Sequence, residues 1–234
     1  MIAVTFALPA ESSGFLRLLQ NRSKRRNNGI TTIAGKINNH LVEIFHTGVG
    51  EKVCRQRMAR FLQDRQLDCL ISAGFAGALD DQLGVGDLLL ARNLSTADLS
   101  GTLDFLANLP IHVANLLTVP SMIDSREERN RIAQTTGAVA VDMETEFIAR
   151  ACAEHGVSLL SLRVISDTPC QPLPAPASVL FDLDEQRTNF GRLAFYVTKN
   201  PRAIWRLISF ARQIGRARER LSNAIIALIR ELRP

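Results

Sequence analysis

The sequence predicts a three-layer α/β fold in which helices cover both faces of a central mixed sheet. Segments with the pattern of strands alternate with segments with the pattern of helices along most of the 234 residues. The chain is 46% hydrophobic, which is enough apolar material for one large buried core. No internal repeat or low-complexity linker divides it. We therefore expect a single domain over residues 1–234, with a basic amphipathic helical segment at 189–234.

Local patterns predict the individual elements. Pro9 and Glu11 follow an apolar run at 1–8, which is typical of a strand that leads into the first turn of a helix. Ser125 and Glu128 have the spacing of a capping box and predict a helix start. The remaining predicted elements are hairpin strands at 30–36 and 41–47, a helix at 51–65, a strand at 68–73, a glycine loop at 72–78, strands at 85–91 and 138–141, a helix at 144–155, a strand at 157–165, and helices after a proline-rich loop at 169–176.

The C-terminal segment is basic and amphipathic. Residues 189–234 contain ten lysines and arginines against two glutamates, while the whole chain has a net charge of +5. Gly215 and Arg218 interrupt its apolar arc, which favours two packed helices with their apolar faces on the sheet. The alternative is a helix that lies on an anionic membrane surface. The apolar arc consists of Ile204, Leu207, Ile208, Ala211, Ile214, Leu221, Ile225, Leu228 and Leu232.

Other features restrict the class of protein. The basic segment carries no aromatic interleaving, zinc pattern or reader motif, so we do not expect nucleic-acid binding. The start of the chain has no charged region, cleavage site or membrane-spanning run, and we expect a cytoplasmic protein. The four cysteines form no C-x-x-C pair, so we expect reduced and mostly buried thiols and no zinc site.

Three acidic residues lie where predicted strands give way to helices or loops, at the sheet edge where open α/β folds bind ligands. They are Glu11, Glu144 and Asp167. Each has a structural explanation of its own: Glu11 and Glu144 favour helix N-termini, and Asp167 could cap the loop that follows it. Three carboxylates at one edge exceed what capping requires, so we regard them as candidate catalytic residues.

Two glycine-rich segments also follow predicted strands. Gly48-Val49-Gly50 is similar to a dinucleotide-binding loop, but Val53 occupies the place of the third glycine. A Rossmann cofactor site is therefore not expected. The second segment, Ser72–Ala78, would allow a ligand to approach backbone atoms closely.

Together these segments resemble the nucleoside phosphorylase and nucleosidase superfamily, especially its 5′-methylthioadenosine/S-adenosylhomocysteine nucleosidase branch. The most specific part is Asp142-Met143-Glu144 followed about twenty residues later by Arg163-Val-Ile-Ser-Asp167. Gln171–Pro174 and the arginine-rich C-terminal extension look more like a hopanoid-associated phosphorylase-like branch, whose substrates are large apolar nucleosides. The other matching segments are Ile2–Glu11, Thr47–Glu51, Ser72–Ala78 and Val85–Asp87.

The resemblance implies cleavage of the N-glycosidic bond of a purine nucleoside by a homodimer, without a metal or organic cofactor. It makes Asp167 the acid that protonates the leaving base, Glu144 the group that holds ribose hydroxyls, and Glu11 the base that activates water. Asp167 must then be protonated, and we expect desolvation and neighbouring carboxylates to keep it so. The implied substrate contacts are Met143, which packs against the sugar, and Ala73, Gly74, Phe75, Ser166 and Gly48.

Several alternatives remain at this point. A phosphorylase could use the same Asp167 and Glu144 with phosphate as the nucleophile, although Glu11 would repel phosphate. Arg55 or Arg57, or an arginine of a partner subunit, could supply the cation that phosphate needs. A non-catalytic nucleoside-binding protein would retain the same pocket. Phe75 replaces the serine usual in nucleosidases, and the sequence does not identify the 5′ substituent.

The part of the pocket that would hold the base is the least determined. Residues 93–124 have no clear aromatic stacking residue, and Met122 or Ile123 could take that place.

Overall fold

The protein is built around a ten-stranded mixed sheet, in a computed structural model that describes residues 1–97, 110–182, 185–186, 188 and 190–231. The strands are β1 (Ile2–Phe6), β2 (Gln20–Asn27), β3 (Ile30–Ile37), β4 (His40–His46), β5 (Cys69–Ala78), β6 (Leu88–Ala91), β7 (Ile111–Ala114), β8 (Leu116–Thr118), β9 (Ala140–Asp142) and β10 (Leu159–Asp167). The helices are α1 (Pro9–Leu18), α2 (Glu51–Leu62), α3 (Arg126–Thr136), α4 (Thr145–Glu154), α5 (Ala177–Leu180), α6 (Phe190–Lys199) and α7 (Ala203–Glu231), and a short 3₁₀ turn covers Arg92–Leu94.

The centre of the sheet is parallel and its margins are mixed. The strand order is β2-β3-β4-β1-β5-β10-β6-β7, with β9 also paired to β5 and β8 paired to β9. Strands β1, β4, β5 and β10 run parallel to their neighbours in this central group, whereas β2, β3 and β6 form antiparallel pairs. Parallel β1, β5 and β10 therefore end at the same edge. The predicted three-layer α/β architecture with a mixed sheet is confirmed.

Alternate side chains of the central strands face two separate helical layers. Val4 and Ile71 belong to a core that also contains residues of α1 and α7. Ala3 and Leu70, one position away, belong to a second core with residues of α2 and α4. The period-two alternation of a strand explains this division, and its apolar residues on both faces explain the continuous apolar runs in the sequence.

The glycine segment at 72–78 is part of a strand, and the prediction of a loop there is wrong. All seven residues lie within β5, which pairs with β10 through this region. Glycine is needed here because side chains from other elements approach the strand closely. This holds at Gly77, where a Cβ atom would lie only 3.2 Å from Oδ2 of Asp167, whereas one at Gly74 would be in ordinary contact with the Glu11 carboxylate oxygens at 3.5 Å.

Strand β2 was absent from the sequence prediction. All eight of its residues are exposed, and it pairs only with β3 at the margin of the sheet. Because both of its faces are polar, it lacks the alternation that identifies a half-buried strand. The predicted hairpin of β3 and β4, in contrast, is confirmed, since these strands pair in antiparallel register from Ile33↔Ile44 to Ile37↔His40.

The C-terminal helices divide at a different place from the one predicted. The break between α6 and α7 lies at 200–202, next to Pro201, whereas α7 continues through Gly215 and Arg218. A single glycine weakens a helix without ending it, while proline cannot continue one. None of the described helices is long and apolar enough to cross a membrane.

The two halves of α7 have different surroundings. Leu221, Ile225 and Leu228 in its second half are buried in the core against the sheet. Ile204 and Ile208 in its first half are exposed. The predicted packing of the apolar arc on the sheet is therefore correct for the second half alone.

Two isoleucines of α7 allow this difference to be measured with the same substitution. We expect Ile225→Ala, at a fully buried position, to lower the free energy of unfolding by about 2–5 kcal/mol, because it removes buried methyl groups and leaves a cavity. We expect Ile208→Ala, at a position 38% exposed, to change it by less than about 1 kcal/mol. Urea unfolding followed by circular dichroism measures both, and equal losses would contradict the division of α7.

Candidate active site

A cavity of about 270 Å³ lies at the edge where β1, β5 and β10 end. All three acids that the sequence singled out line it: Glu11, Glu144 and Asp167. Glu11 follows β1 and Asp167 ends β10, and these parallel strands bring their carboxyl ends together. Glu144 follows β9, which pairs antiparallel with β5. The structure thus places the three candidate catalytic residues around one space.

Glu11 is held by the turn that connects β1 to α1. Its Oε2 accepts hydrogen bonds from the backbone N–H groups of Ala7 (2.9 Å) and Leu8 (3.1 Å). Burial raises the pKa of Glu11, although the amide of Leu8 and the charge of Arg163 act in the opposite direction. The carboxyl group is therefore fixed in position and disposed to accept a proton.

Glu144 lies at the N-terminus of α4 and connects this helix to the Gly48-Val49-Gly50 segment. Its Oε1 accepts a hydrogen bond from the backbone N–H of Gly50 at 2.9 Å. Burial and the adjacent charge of Asp142 raise the pKa of Glu144 to about 8. Gly48-Val49-Gly50 therefore positions a carboxyl group, and in this respect differs from the dinucleotide-binding loop that it resembles in sequence.

Beneath these acids, Asp142 and Arg163 form a buried ion pair. Arg163 Nε lies 3.0 Å from Asp142 Oδ2, and its terminal nitrogens donate to the backbone oxygen of Ser72 (2.8 Å) and to Ser72 Oγ (2.9 Å). Thr145 Oγ1 accepts a hydrogen bond from Arg163 and donates one to Asp142. This network joins β5, β9, β10 and α4, and it uses up the donors of an arginine that would otherwise face the site.

Asp167 is paired with a cation, whereas the sequence suggested carboxylates as its ionisable neighbours. Arg129 of α3 forms a buried ion pair with Asp167 Oδ2, and Ser166 Oγ donates to Asp167 Oδ1 at 2.6 Å. Both oxygens of Asp167 thus accept a hydrogen bond from a neighbouring side chain. The closest ionisable partner is a guanidinium because α3 folds over the end of β10 and directs Arg129 inward.

The sequence analysis did not identify Arg129. The guanidinium is held by three acceptors, since it also donates to the backbone oxygens of Ile123 (2.9 Å) and Ala78 (2.9 Å). Helical spacing could have indicated it, because Arg129 lies three and four residues before Ile132 and Ala133, which pack against the core. An arginine on the inward face of a helix requires an acceptor, and Asp167 is the acid nearest in space.

The other predicted contact residues occupy different positions around the site. Met143, Phe75 and Ser166 line the large cavity with the three acids. Ala73 and Gly74 line a small hollow next to it, which Glu11 and Glu144 also border. Gly48 lines a separate hollow on the outer side of the Gly48-Val49-Gly50 segment.

The arginines of α2 do not line the large cavity. Arg55 pairs with Glu51 at 2.8 Å and covers the ring of Phe147. Arg57 donates to the backbone oxygen of His46 and borders the outer hollow with Gly48. Burial and the charge of Arg57 lower the pKa of His46 to about 4, so among the described residues around that hollow Arg57 carries the positive charge.

The rest of the cavity wall is apolar. Met122, Ile123 and Val119 contribute to this wall. Residues 98–109, which belong to the region where the sequence showed no stacking residue, lie outside the described residues. The opposite part of the wall comes from the C-terminal region and consists of Leu173, Leu180, Phe181, Phe210 and Ile214.

The donor set does not suit a metal ion. No group of three or more His, Cys, Asp or Glu side chains that could hold one occurs among the described residues. Of the four cysteines, Cys54, Cys69 and Cys152 are buried and Cys170 is exposed, and all are free thiols.

The raised pKa of Glu144 predicts that this residue makes stability depend on pH. Its folded-state pKa of about 8 lies above the ordinary value of 4.5, so its contribution is fully present below pH 4.5 and is lost as pH rises towards 8. Gln at this position can still accept the Gly50 N–H but has no proton to lose. We therefore expect the free energy of unfolding of Glu144→Gln, relative to the wild type, to increase steadily from pH 5 to pH 8 in urea unfolding experiments.

Glu146→Gln provides the control for this measurement, because Glu146 belongs to the same helix and forms an exposed ion pair with Arg150. Wild-type and Glu144→Gln curves that stay parallel across the pH range would contradict the assignment.

Comparison with known proteins places this site in a family. The family model of the phosphorylase superfamily matches residues 1–114 and 106–199. The 5′-methylthioadenosine/S-adenosylhomocysteine nucleosidase of Staphylococcus epidermidis (strain ATCC 12228 / FDA PCI 1200) is 24% identical over 196 residues, which cover 71% of this chain and 86% of that protein.

Solved structures share the fold over the whole length. The 5′-methylthioadenosine/S-adenosylhomocysteine nucleosidase from S. pneumoniae, solved with the transition-state inhibitor MT-ImmA, has a TM-score of 0.70 at 19% identity and covers 99% of each chain. Futalosine hydrolase of Helicobacter pylori strain 26695 has a TM-score of 0.73 at 16% identity, covering 99% of this chain and 97% of that one. Because the family model matches well over half of the sequence, the chain belongs to the phosphorylase superfamily.

Proposed function

We propose that the protein is a purine nucleosidase that hydrolyses the N-glycosidic bond of a 5′-modified adenine nucleoside, of the methylthioadenosine or S-adenosylhomocysteine type. The observation that carries the proposal is the convergence of Glu11, Glu144 and Asp167 on one cavity at the edge where β1, β5 and β10 end. Two similar proteins, the S. epidermidis nucleosidase and the H. pylori futalosine hydrolase, support it by the activities in their names.

Departure of the base is the step that we assign to Asp167 and Arg129. When the glycosidic bond breaks, the purine gains negative charge and the sugar becomes oxocarbenium-like, so the base needs a proton or a nearby cation. Asp167 is positioned by Ser166 and by Arg129, which is itself anchored to two backbone oxygens. In our proposal Asp167 takes up a proton from water, delivers it to the purine and returns to the ion pair with Arg129. Arg129 acts as a positioning residue that also faces the developing charge.

The sugar is the part of the substrate that we assign to Glu144 and Met143. The hydrogen bond from Gly50 holds the Glu144 carboxyl at the cavity wall, where it can bind ribose hydroxyl groups. Met143 lies next to it in the same wall and offers an apolar surface to the ring. We place the 5′ group against the apolar wall from the C-terminal region, because transfer of an apolar substituent from water to that wall is favourable in free energy.

Water is the nucleophile that the charges around the site favour. Phosphate needs cationic donors, but Arg163 is paired with Asp142 and Arg129 with Asp167. Glu11, with a pKa raised by burial, can take a proton from a water molecule beneath the ribose. Its negative charge would repel phosphate.

The proposal requires neither a metal nor an organic cofactor. It includes the homodimer that the resemblance implies and the cytoplasmic location expected from the sequence. Sedimentation equilibrium tests the assembly directly, since a species of one chain mass at all concentrations would exclude the homodimer.

We expect Asp167→Asn to lower kcat for release of adenine from methylthioadenosine by at least about 100-fold, because the amide cannot deliver a proton. The Asn oxygen can still accept the hydrogen bond from Arg129, so the variant is expected to fold and to bind the nucleoside. Asp81→Asn is the matched control, since Asp81 pairs with Arg126 on the surface at 2.6 Å. Normal kcat in a folded Asp167→Asn variant would remove Asp167 from the mechanism.

The sugar product distinguishes hydrolysis from phosphorolysis. We expect free 5-methylthioribose to form at a rate that is indifferent to phosphate, because no cation in the described part of the cavity is left without a carboxylate partner. Chromatography of the products with and without about 10 mM phosphate, which exceeds the usual range of KM values, measures this. Formation of the sugar 1-phosphate with strict phosphate dependence would show a phosphorylase, and nucleoside binding without release of base would show a binding protein.

A further inference from the structure

Helix α6 and the first half of α7 expose aromatic side chains to water. Phe190, Phe195 and Trp205 are 77%, 62% and 76% exposed, and Ile204 and Ile208 are exposed beside Trp205 along α7. The second half of α7, in contrast, is buried in the core. A concentration of exposed aromatic and aliphatic side chains in one short segment is unusual for a surface that only meets water. We call residues 190–216 the exposed helical segment.

The same segment has positive charge without any acid. Its six basic residues are accompanied by no Asp or Glu between positions 190 and 216. Arg192 forms an ion pair with Asp182, but Lys199 covers the ring of Phe195 instead of pairing with a carboxylate. The basic residues are Arg192, Lys199, Arg202, Arg206, Arg212 and Arg216.

A shallow depression joins the two helices at their connection. Lys199, Arg202 and Arg206 line it together with Tyr196, Asn200 and Pro201. Three cations around one depression, next to exposed aromatic rings, match the headgroup and interfacial regions of a phospholipid membrane. Aromatic residues prefer that boundary because one part of the ring system can be apolar while polar groups stay wet.

We propose that the exposed helical segment docks on the surface of an anionic phospholipid bilayer. Phe190, Phe195 and Trp205 enter the boundary between headgroups and acyl chains, and the lysine and arginine side chains contact lipid phosphates. The segment lies on the surface and does not span the bilayer, in agreement with the described helices, none of which is apolar enough to cross it. Phe210 and Ile214 of the same helix line the active-site cavity, so docking holds the apolar wall of the cavity at the membrane.

A second copy of the chain is a less suitable partner for this segment. A symmetric contact would bring the six basic residues of one copy against the same six of the other, which costs electrostatic free energy. An anionic bilayer instead neutralises these charges and covers the aromatic rings at the same time.

The single tryptophan of the chain reports on the proposed contact. We expect the emission of Trp205 to shift to shorter wavelength when the full-length protein is mixed with vesicles of phosphatidylglycerol and phosphatidylcholine, and the protein to sediment with them. Brominated acyl chains are expected to quench this emission. Vesicles of phosphatidylcholine alone should bind less protein, and raising the salt to 0.5 M should weaken binding to the anionic vesicles because charges are screened over shorter distances.

Matched variants test which residues make the contact. Phe195→Ser, which keeps Trp205 as the reporter, is expected to weaken vesicle binding at least about fivefold, whereas Leu41→Ser, at a position 61% exposed on β4, should leave it unchanged. Arg202→Gln together with Arg212→Gln should also weaken binding, and Arg25→Gln on the exposed strand β2 is the control for loss of charge.

Three results would overturn the proposal. The first is no emission shift and no sedimentation with anionic vesicles at low salt. The second is a shift that depends on protein concentration alone and accompanies dimer formation through this segment. The third is binding to a nucleic-acid duplex with no binding to vesicles. None of these measurements depends on nucleosidase activity, so the proposed function and the membrane contact can fail separately.

Discussion

The active site depends on how two buried arginines are shared among four buried carboxyl groups. Arg163 pairs with Asp142 and Arg129 pairs with Asp167. Glu11 and Glu144 have no ion-pair contact within the described part of the chain, and backbone N–H groups alone hold them. Burying a charge is costly unless it is paired, so the cost falls on these two residues and raises their pKa values.

This distribution of charge also gives the two unpaired acids their chemical capacity. A carboxyl group whose pKa is raised towards neutrality can take up or release a proton under physiological conditions, which a surface glutamate does poorly. Of the paired acids, Asp142 fixes Arg163 and Thr145 beneath the site, and Asp167, to which we assign protonation of the base, is oriented by Arg129 and Ser166. Glu11 and Glu144 have no ion-pair partner among the described residues, which costs stability. The same arrangement prepares these two carboxyl groups for proton transfer.

The sequence predicted those parts of the structure that local patterns determine. Buried strands and capped helices were identified, because apolar periodicity and the Ser125 side chain, which accepts from Glu128 N, act within a few residues. The three candidate acids were found because each lies at a strand end. The all-polar strand β2 has no such pattern, and the glycines of β5 suggest a loop unless the approach of the Glu11 and Asp167 side chains is known.

Arg129 and the two halves of α7 show that local sequence patterns do not predict contacts between segments that are distant in the chain. An arginine in a helix has the same local pattern whether it meets water or a buried aspartate, and only the fold brings α3 over the end of β10. Likewise, one amphipathic pattern runs along α7, but only its second half reaches the sheet. An apolar arc shows that a helix has an apolar face that can be buried. The rest of the fold determines how much of that face packs against other elements. The first half of α7 is not covered by the sheet, and Trp205, Arg206 and Arg212 are exposed there.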